Sequence, residues 1–433
     1  MILLFLICIT AVNGYGWVPL CDLKTYNTKK PSEIRVLDKT LVLWEKSGNI
    51  VVQDNVCLHR GAPLSEGYID KTTQNLRCSY HGWEFSPTGK VLSIPQAYSE
   101  CNTCPYSQKT YQTHTSCNIL WVNLNDSSIP FPLHISENEQ FVCDDTFAIE
   151  IPYSMNILLE NLFDPAHVPF AHHKLQSFRD LASSVNSSII VSNETMLQIL
   201  FEDSTLANNH YRNGTMTFFS PNHYVLTSLY PNTFIKKLHV YCVPVLPYKT
   251  RIFVQNEYES FTDYQQINSF YISILNSLPH WVKHLVTHTF FDSDTMLLYK
   301  QEQMLRFKNM LGNCTYTYHT PTSSDYSIHA FHRWKNKYSQ EWFQRIMENA
   351  ESTNSLSRKE VFDRYNDHTK HCIACSGTLK TVKQLQLILP ILLISHGISF
   401  GSGQEILFSA VIFFILDKLK SMFIHKDYIH NEL

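Results

Sequence analysis

The sequence is short of charged residues and lacks a bias toward either sign. Charged residues make up 17% of the 433 residues, and the formal net charge is -3. A chain without a positive excess lacks the electrostatic footprint of a nucleic-acid-binding protein, so we expect no nucleic acid partner. No internal repeat and no long low-complexity run is present, which excludes a repeat architecture. The shortage of charge suits a protein that places part of its surface against a membrane.

A disulfide scaffold is also not expected. The 12 cysteines are unevenly spaced along a chain that is long enough for two or three domains. Four of them, Cys57, Cys78, Cys372 and Cys375, lie among histidines. Clusters of cysteine and histidine point to metal or redox chemistry in a reducing compartment.

Residues 1–14 form a candidate targeting segment that lacks a basic n-region. The apolar run MILLFLICITAVN has the length of the h-region of a signal peptide. A targeting signal, a short membrane anchor and an incomplete gene start are all open interpretations. We favour a targeting remnant.

The C-terminal tail, residues 382–424, predicts a helical hairpin in a membrane. The run from Val382 to Phe400 has no charge after Lys383 and approaches the roughly 20 residues that span a bilayer. A Gly-Ser-Gly turn separates it from a second apolar run, Ile406 to Leu416, and lysines flank both outer ends. The alternative is a buried hairpin of the soluble fold, but a tail that is apolar all round favours the membrane.

Two motifs in a strand-rich N-terminal third predict a metal centre. They are Cys57-x-His59 and Cys78-x-x-His81, with 18 residues between them. Zinc would take all four ligands in one tetrahedron. A Rieske [2Fe–2S] cluster would place Cys57 and Cys78 on one iron and His59 and His81 on the other. Glycine and small residues flank each pair, so backbone N–H groups can approach the cluster sulfurs, and we favour the Rieske cluster with electrons from a ferredoxin.

The segment ENLFDPAHVPFAHH predicts a second metal centre. His167 and His172 are five residues apart, which an unbroken helix would place on different faces, but Pro169 disturbs the helix between them. A kinked or π-bulged helix would bring both rings to one point. Two histidines and a distant carboxylate form the facial triad of non-haem Fe(II) oxygenases, which leaves positions open for O₂. The alternative is a set of surface or core histidines with ordinary hydrogen-bond partners.

The carboxylate ligand is expected from the later segment FFDSDTMLLYKQEQML. This segment offers Asp292 and Asp294, and we favour Asp294 because it begins an apolar helical stretch. Asp164 is then expected to accept a hydrogen bond from His167 and to link that ring to a cluster histidine. His173 is predicted to be a spectator.

Taken together, these motifs resemble the pheophorbide a oxygenase group of the Rieske non-haem iron oxygenases. That group includes chlorophyllide a oxygenase and the Rieske protein of the chloroplast inner-envelope translocon. The resemblance covers residues 16 to about 425 and is carried by GWVPL, HRGAPLSEG, YHGWEFSPTGK, NLFDPAHVPFAHH and FDRYNDHTKHCIAC. It implies an α+β fold with an antiparallel β Rieske domain at 15–130, a helix-grip catalytic domain (antiparallel sheet plus helices) at 140–350, a C-x-x-C segment at 351–378 and the helical membrane hairpin.

The resemblance also implies an enzyme with a [2Fe–2S] cluster and a mononuclear Fe(II). Electrons from ferredoxin and its reductase would reach the iron through Asp164, between subunits of a homotrimer. O₂ would then oxygenate an apolar substrate, a chlorophyll-derived tetrapyrrole such as pheophorbide a, in chlorophyll catabolism at a plastid envelope or thylakoid membrane. Chlorophyllide or another lipid-like substrate, another intracellular membrane, and a non-catalytic redox-sensing role are the alternatives.

The segment DHTKHCIACSG, residues 367–377, holds a further cysteine–histidine group. A capping box from Ser357 to Glu360 predicts a helix that starts there and ends near Cys372 and Cys375. Zinc and a chance pair are alternatives. We favour a redox-active thiol pair open to thioredoxin, because nearby Lys370 and histidines can lower the pKa of a C-x-x-C thiol.

Overall fold

The computed structural model describes most of the chain. The described ranges are 16–24, 30–37, 39–97, 105–125, 130–132, 146–207, 210–230, 234–260, 277–307, 318–347, 355–400 and 403–430. The candidate targeting segment at residues 1–14 lies outside them.

The N-terminal part of the chain folds into two antiparallel sheets. Its strands are β1 (Trp17–Asp22), β2 (Ser32–Val36), β3 (Lys39–Lys46), β4 (Asn49–Asp54), β5 (Tyr68–Ile69), β6 (Leu76–Arg77), β7 (Glu84–Phe85), β8 (Val91–Ser93), β9 (Thr110–Ser116) and β10 (Ile119–Asn123). The larger sheet has the order β1-β10-β9-β4-β3-β2, and the smaller one has the order β5-β6-β7-β8. Alternation of apolar and polar residues along β2 places one face of that strand in the core.

A third antiparallel sheet, with long strands, follows. Its strands are β11 (Phe147–Ile151), β12 (Val185–Ser192), β13 (Met196–Ala207), β14 (His210–Phe219), β15 (His223–Tyr230), β16 (Phe234–Leu246) and β17 (Lys249–Ser260), and their order in the sheet is β11-β17-β16-β15-β14-β13-β12. The first strand in sequence thus pairs with the last, and β11 and β12 lie at opposite edges of the sheet. The segment between them therefore crosses one face of the sheet. That segment contains the predicted iron-binding histidines.

Strands β16 and β17 are buried on both faces. Val240 and Ile252 belong to the core shared with the helices, whereas Tyr241 and Phe253 belong to the core of the N-terminal sheet. Because neighbouring residues of a strand point to opposite faces, the same two strands join both cores. The N-terminal sheet therefore packs on one side of the long-stranded sheet, and the helices pack on the other.

The helices lie mainly after the long-stranded sheet. They are α1 (Met155–Leu162), α2 (Val168–Ala171), α3 (His280–Phe307), α4 (Tyr326–Trp334), α5 (Gln340–Met347), α6 (Arg358–Val361), α7 (Ile373–Phe400) and α8 (Gly403–Ile424). Short 3₁₀ turns precede α2 and α4, and π-helical turns occupy Lys335–Ser339 and Tyr365–Thr369. An antiparallel β domain followed by a sheet with helices on one face confirms the predicted α+β fold.

The helix predicted from Ser357 is shorter than expected. The capping box is present, with the Ser357 side chain accepting from the Glu360 backbone N–H, but α6 ends at Val361. Asp363 accepts a hydrogen bond from the Asn366 backbone N–H at 2.9 Å, which begins a separate turn. The prediction that Cys372 and Cys375 lie at the end of this helix is therefore wrong, because α7 begins at Ile373 and the pair lies at its start.

The C-terminal hairpin consists of α7 and α8, which pack against each other. One helical stretch in the described part of the chain, Ile373–Ser395, is long and apolar enough to cross a membrane. The start of α7 is buried, as at Leu379 and Val382, whereas Leu387 and Ile391 are exposed. The apolar side chains that follow the first turns of α7 are thus largely exposed, whereas Phe423 near the end of α8 is buried.

Candidate active site: two metal centres

Two matched loops present the predicted ligands of the first metal centre. The N–H of Gly61 bonds the Cys57 carbonyl at 2.9 Å, and the N–H of Gly82 bonds the Cys78 carbonyl at the same distance. Both glycines have φ of +75°, a conformation that other residues adopt at a cost. Each loop therefore turns sharply between its cysteine and the glycine that follows its histidine.

The cysteines of these loops are buried more deeply than the histidines. Cys57 and Cys78 are buried and their thiols are hydrogen-bonded to each other, whereas His59 is exposed and His81 is half-buried. The two imidazole rings lie 4.4 Å apart, centroid to centroid. No three of these four ligands are among the described groups whose ligand atoms all lie within 4.8 Å of one another. A thiolate pair inside and an imidazole pair outside fit a two-iron cluster better than one zinc ion.

Burial and nearby backbone N–H groups act on the pKa values of these ligands. Burial raises the pKa of the Cys57 thiol to about 11, and the backbone N–H groups of His59 and Arg60 act in the opposite direction. These N–H groups point at the sulfur, as predicted for a loop that surrounds a cluster. Desolvation and the neighbouring His59 hold the pKa of His81 below its ordinary value, which favours the neutral imidazole that binds metal.

Helix breaks bring the two histidines of the second centre together. Asp164 caps a 3₁₀ turn, Pro165–His167, by accepting from the Ala166 N–H at 2.9 Å. The short helix α2 follows, and His172 is the residue at its end. The helix is disturbed as predicted, although through a 3₁₀ turn and not a kink or a π-bulge. Nε2 of His167 lies 3.2 Å from Nε2 of His172.

The predicted carboxylate completes a three-residue group. Asp294 Oδ2 lies 3.4 Å from Nε2 of His172 and 3.9 Å from Nε2 of His167. All three ligand atoms lie within 4.8 Å of one another. Asp294 belongs to α3, more than 120 positions after the histidines, so the long helix carries the carboxylate across to the segment between β11 and β12. This is the arrangement of a two-histidine, one-carboxylate iron site.

Hydrogen bonds to the outer nitrogens orient both imidazole rings. Nδ1 of His172 donates to Ser293 Oγ at 2.7 Å, and Ser293 in turn donates to the Phe290 carbonyl at 2.6 Å. Nδ1 of His167 donates to the backbone carbonyl of Asp164. Both bonds place the ring proton on Nδ1 and leave Nε2 free as a ligand. The expected bond from His167 to Asp164 therefore exists, but it goes to the carbonyl, while the Asp164 carboxylate is 4.0 Å away.

Asp292, the alternative ligand, has a different partner. It points away from the histidines and forms a buried ion pair with Arg364, whose Nη1 also donates to the Met422 carbonyl at 3.0 Å. Two residues along a helix correspond to about 200° of rotation, so Asp292 and Asp294 lie on opposite faces of α3. His173 is also separate from the site, since its Nδ1 accepts from the Arg179 N–H at 3.2 Å.

Two residues of the site were missed in the sequence. Asn161 Nδ2 lies 3.5 Å from Nε2 of His167 and the same side chain hydrogen-bonds to Asp294. Ser293 lies between the two aspartates and orients His172. Neither residue belongs to a recognisable motif. The signal that could have found them is their proximity in sequence to predicted ligands: Asn161 is six residues before His167, and Ser293 is next to Asp294.

The donor set fits a divalent iron ion. Burial raises the pKa of Asp294 to about 6, and the neighbouring His167 acts in the opposite direction. Burial likewise raises the pKa of Asp164. A cation held by two neutral imidazoles and Asp294 would offset the cost of burying this carboxylate. Three protein ligands leave the other coordination positions of an iron ion available.

The C-x-x-C pair is buried and meets two histidines. Cys372 and Cys375 contact His284 at the start of α3 and His368 of the π-helical turn. His371, which the sequence places nearest to the pair, does not belong to this group. His284 was missed in the sequence because it lies about 90 positions before the cysteines.

Comparisons with known proteins agree with both centres. A model described as Rieske [2Fe-2S] domain matches residues 16–112, and one described as Pheophorbide a oxygenase matches residues 218–310, which include Asp294. The two matched domains are those of a Rieske non-haem iron oxygenase. Two relatives of this oxygenase are a flavonoid 8-hydroxylase 2 from Ocimum basilicum, 27% identical, and a pheophorbide a oxygenase from Oryza sativa subsp. japonica, 26% identical. Each comparison covers 96% of this chain and 84% of the relative.

Solved structures show the same fold. A dicamba monooxygenase is 14% identical with a TM-score of 0.56, over 75% of this oxygenase and 97% of that chain. The predicted enzyme class, the Rieske cluster and the mononuclear iron are confirmed.

Proposed function

We propose that this oxygenase inserts oxygen into a chlorophyll-derived tetrapyrrole such as pheophorbide a. One observation carries the proposal: the pheophorbide a oxygenase match covers 218–310, which contain strands of the catalytic sheet and the iron-ligand helix α3. Relatives named pheophorbide a oxygenase from rice and Arabidopsis thaliana align along 96% of the chain. The exposed apolar hairpin adds support, because a large apolar substrate would partition into the same membrane.

Each ligand has a defined task in this proposal. Cys57, Cys78, His59 and His81 would hold the Rieske cluster, and His167, His172 and Asp294 would hold the mononuclear iron. When bound, the cluster supplies single electrons and the iron supplies O₂ activation. Ser293 and the Asp164 carbonyl keep both iron-binding rings in the tautomer that leaves Nε2 free. We propose that Asp164 also links His167 electronically to a cluster histidine.

The surface of the cluster loops suggests how partners bind. Val56, Leu58 and Tyr80 are exposed apolar residues beside the cluster histidines. We propose that this patch contacts either ferredoxin, itself reduced by its reductase, or a second subunit of a homotrimer. Aromatic and aliphatic residues without charge are typical of such contact surfaces.

Location and domain limits belong to the same proposal. We propose a plastid membrane, envelope or thylakoid, because the relatives' names are chloroplastic and because the hairpin is exposed and apolar. We also propose the division into a Rieske domain at 15–130, a catalytic domain at 140–350, a C-x-x-C segment at 351–378 and a membrane hairpin at 382–424. The redox-active role of the thiols and exchange with thioredoxin stay predictions.

A flavonoid is the second candidate substrate. The flavonoid 8-hydroxylase 2 of Ocimum basilicum aligns along the same share of the chain at a similar identity. Both candidates are planar and apolar, so the same iron site could serve either. A purely redox-sensing protein is disfavoured because it would not need His167, His172 and Asp294 brought together.

The test is oxygen uptake by the purified full-length protein. The protein receives reduced ferredoxin and, in separate reactions, pheophorbide a, chlorophyllide a or a flavone. We expect uptake with pheophorbide a and incorporation of ¹⁸O from labelled O₂ into its product, and neither in His172→Ala. Incorporation into the flavone alone would show that the substrate is a flavonoid and not a tetrapyrrole. No incorporation by iron-replete protein with any apolar substrate would overturn the oxygenase function.

A further inference from the structure

A group of four buried side chains lies outside both iron centres. His284 is in the first turns of α3, His368 is in the π-helical turn Tyr365–Thr369, and Cys372 and Cys375 flank the start of α7. All four are buried, and each offers a ligand atom within 4.8 Å of the other three. Three separate segments therefore converge on one point.

We propose that His284, His368, Cys372 and Cys375 hold a single structural zinc ion. Two thiolates and two imidazoles form a donor set that zinc takes in closed tetrahedral sites. Four protein ligands fill the tetrahedron and leave no position for substrate, so the role is structural. The ion would connect the helix that carries Asp294 to the base of the hairpin.

The distances match the edges of one tetrahedron. His284 Nδ1 lies 3.5 Å from Cys372 Sγ and 3.4 Å from Cys375 Sγ, and His368 Nε2 lies 3.3 Å from Cys375 Sγ. Bonds of about 2.3 Å to sulfur and about 2.0–2.1 Å to nitrogen at tetrahedral angles give sulfur–nitrogen edges of about 3.5 Å. A two-iron cluster would require the cysteine pair and the histidine pair to be on different irons, and these atoms are too close together for that.

The imidazole of His368 is oriented as a ligand. Its Nδ1 donates to the Ala148 carbonyl of β11 at 2.6 Å, which leaves Nε2 directed at Cys375. Metal-binding histidines commonly have a backbone carbonyl on the outer nitrogen. This bond also attaches the group to the edge strand of the catalytic sheet.

The ring of His284 otherwise has only weak polar partners among the described residues. Nδ1 of His284 meets only the two sulfurs, and its Nε2 has no hydrogen-bond partner among the described residues. A thiol is a weak hydrogen-bond partner, and a buried polar ring without a strong one is costly. Zinc on Nδ1 would supply the strong bond.

Burial also argues against exchange with an external thiol. Cys372 is 4% exposed and Cys375 is 1% exposed, and Leu285, Leu379 and Phe423 cover them in one apolar cluster. An attacking thiolate must reach a sulfur, and both residues expose very little surface. Accessible thiols are typical of redox sensors, whereas buried ligands are typical of structural metal sites.

The experiment measures metals in the full-length protein purified in detergent without added zinc or chelator. We expect about one zinc per chain beside about three irons, and X-ray absorption at the zinc edge with two sulfur and two nitrogen neighbours. Cys372→Ser/Cys375→Ser should lose zinc and keep all three irons. Cys117→Ser, which removes a thiol elsewhere, should keep both metals.

A second pair of variants guards against misfolding. His284→Ala should lose most of the zinc, whereas His284→Cys should recover it, because three thiolates and one imidazole also bind zinc. A zinc content below a tenth per chain in protein with intact iron centres would overturn the proposal. So would a Cys372–Cys375 disulfide found by mass spectrometry in protein isolated without reductant, or a fourth iron at this site in place of zinc. None of these results depends on the oxygenase activity.

Discussion

At the scale of single residues, two aspartates on one helix have opposite tasks. Asp294 faces His167 and His172, whereas Asp292 neutralises the buried Arg364. Their chemistry is the same and their sequence positions are two apart, so only the helix rotation separates a metal ligand from a structural ion pair. This difference makes the two positions a matched pair for mutation.

We expect Asp294→Asn to lose mononuclear iron and to keep the Rieske cluster. Loss of an outer hydrogen bond costs about 10- to 100-fold in metal affinity, and loss of a ligand should cost more. Asp292→Asn should keep the iron but lose up to about 3–5 kcal/mol of stability, because Arg364 is left buried without its charge partner. Iron analysis, cluster spectroscopy and thermal unfolding distinguish the two. Equal iron loss in both variants would contradict the assignment.

Residue-scale prediction from sequence is possible where chemistry is concentrated in short motifs. Cys57, His59, Cys78 and His81 are close in sequence and have few alternative roles in that spacing. Ser293, Asn161 and His284 could not be predicted, because their roles depend on partners far away in the chain. A serine that orients a histidine 121 positions away has no local pattern.

At the scale of elements, two loops of the same design differ in their surroundings. Gly61 and Gly82 both have φ of +75°, but a Cβ on Gly82 would lie 3.0 Å from Pro95 Cγ, whereas one on Gly61 would meet nothing within 4 Å. The proline ring is rigid, so the second loop cannot easily adjust.

We expect Gly61→Ala to cost about 1–2 kcal/mol through backbone conformation alone. Gly82→Ala should cost more and should lower the share of protein that holds the Rieske cluster. The visible absorption of the cluster per chain measures that share. If both variants load the cluster equally, contact with Pro95 does not constrain the loop.

A buried carboxyl group connects α3 to the start of α1. Glu302 is 1% exposed and accepts from the Ser154 N–H at 3.1 and 3.2 Å. Burial raises the pKa of Glu302 to about 7, the Ser154 bonds and Arg306 act in the opposite direction, and Glu160 adds to the rise. The folded protein therefore holds a proton that the unfolded chain releases near pH 4.5.

This difference predicts that Glu302 destabilises the fold as the pH rises from about 4.5 to about 7. Each unit of pKa corresponds to 1.36 kcal/mol, so the loss is about 3 kcal/mol by pH 8. Glu302→Gln removes the ionisation, so the stability of the variant relative to the wild type should increase over that pH range. The two stabilities should differ least at pH 5. Thermal midpoints at pH 5, 6, 7 and 8 measure the gap. A gap that does not change with pH would refute the shift.

Element boundaries were predictable only where local capping determines them. The capping box at Ser357 was correct, but the end of that helix was not. Arg364 follows this helix and is buried, where it forms an ion pair with Asp292. Local propensity does not predict a pair between residues so far apart in the chain. The 3₁₀ turn at Pro165–His167 likewise depends on the cap from Asp164 and on proline, so the break was predictable and its type was not.

At the scale of the whole molecule, one sheet organises the two iron centres. Strands β16 and β17 pack against the N-terminal sheet on one face and against the helices on the other. The continuous apolar run VYCVPVL of β16 is typical of a strand buried on both faces, but it does not determine which domain occupies which face. The relation between the two centres is a property of the packed molecule that motif spacing does not contain.

Helix α7 of the C-terminal hairpin has a buried part and an exposed part. At about 1.5 Å per residue its 28 residues measure about 42 Å, longer than the roughly 30 Å of a hydrocarbon core. The first turns are buried with Leu379 and Val382, and the remainder exposes residues such as Ile391 and Leu392. The buried part belongs to the protein core, so only the exposed part presents a surface that suits lipid.

We therefore expect Ile391→Lys to weaken membrane binding without loss of the iron centres. A lysine near the middle of a membrane helix costs about 2.5–3.5 kcal/mol. Leu246→Lys, which adds the same charge at an exposed apolar position of β16, should leave binding unchanged. The measurement is the fraction of protein that sediments with liposomes of plastid lipid composition. If both variants bind like the wild type, Ile391 does not lie in lipid, and the exposed faces of α7 and α8 must instead be covered by protein.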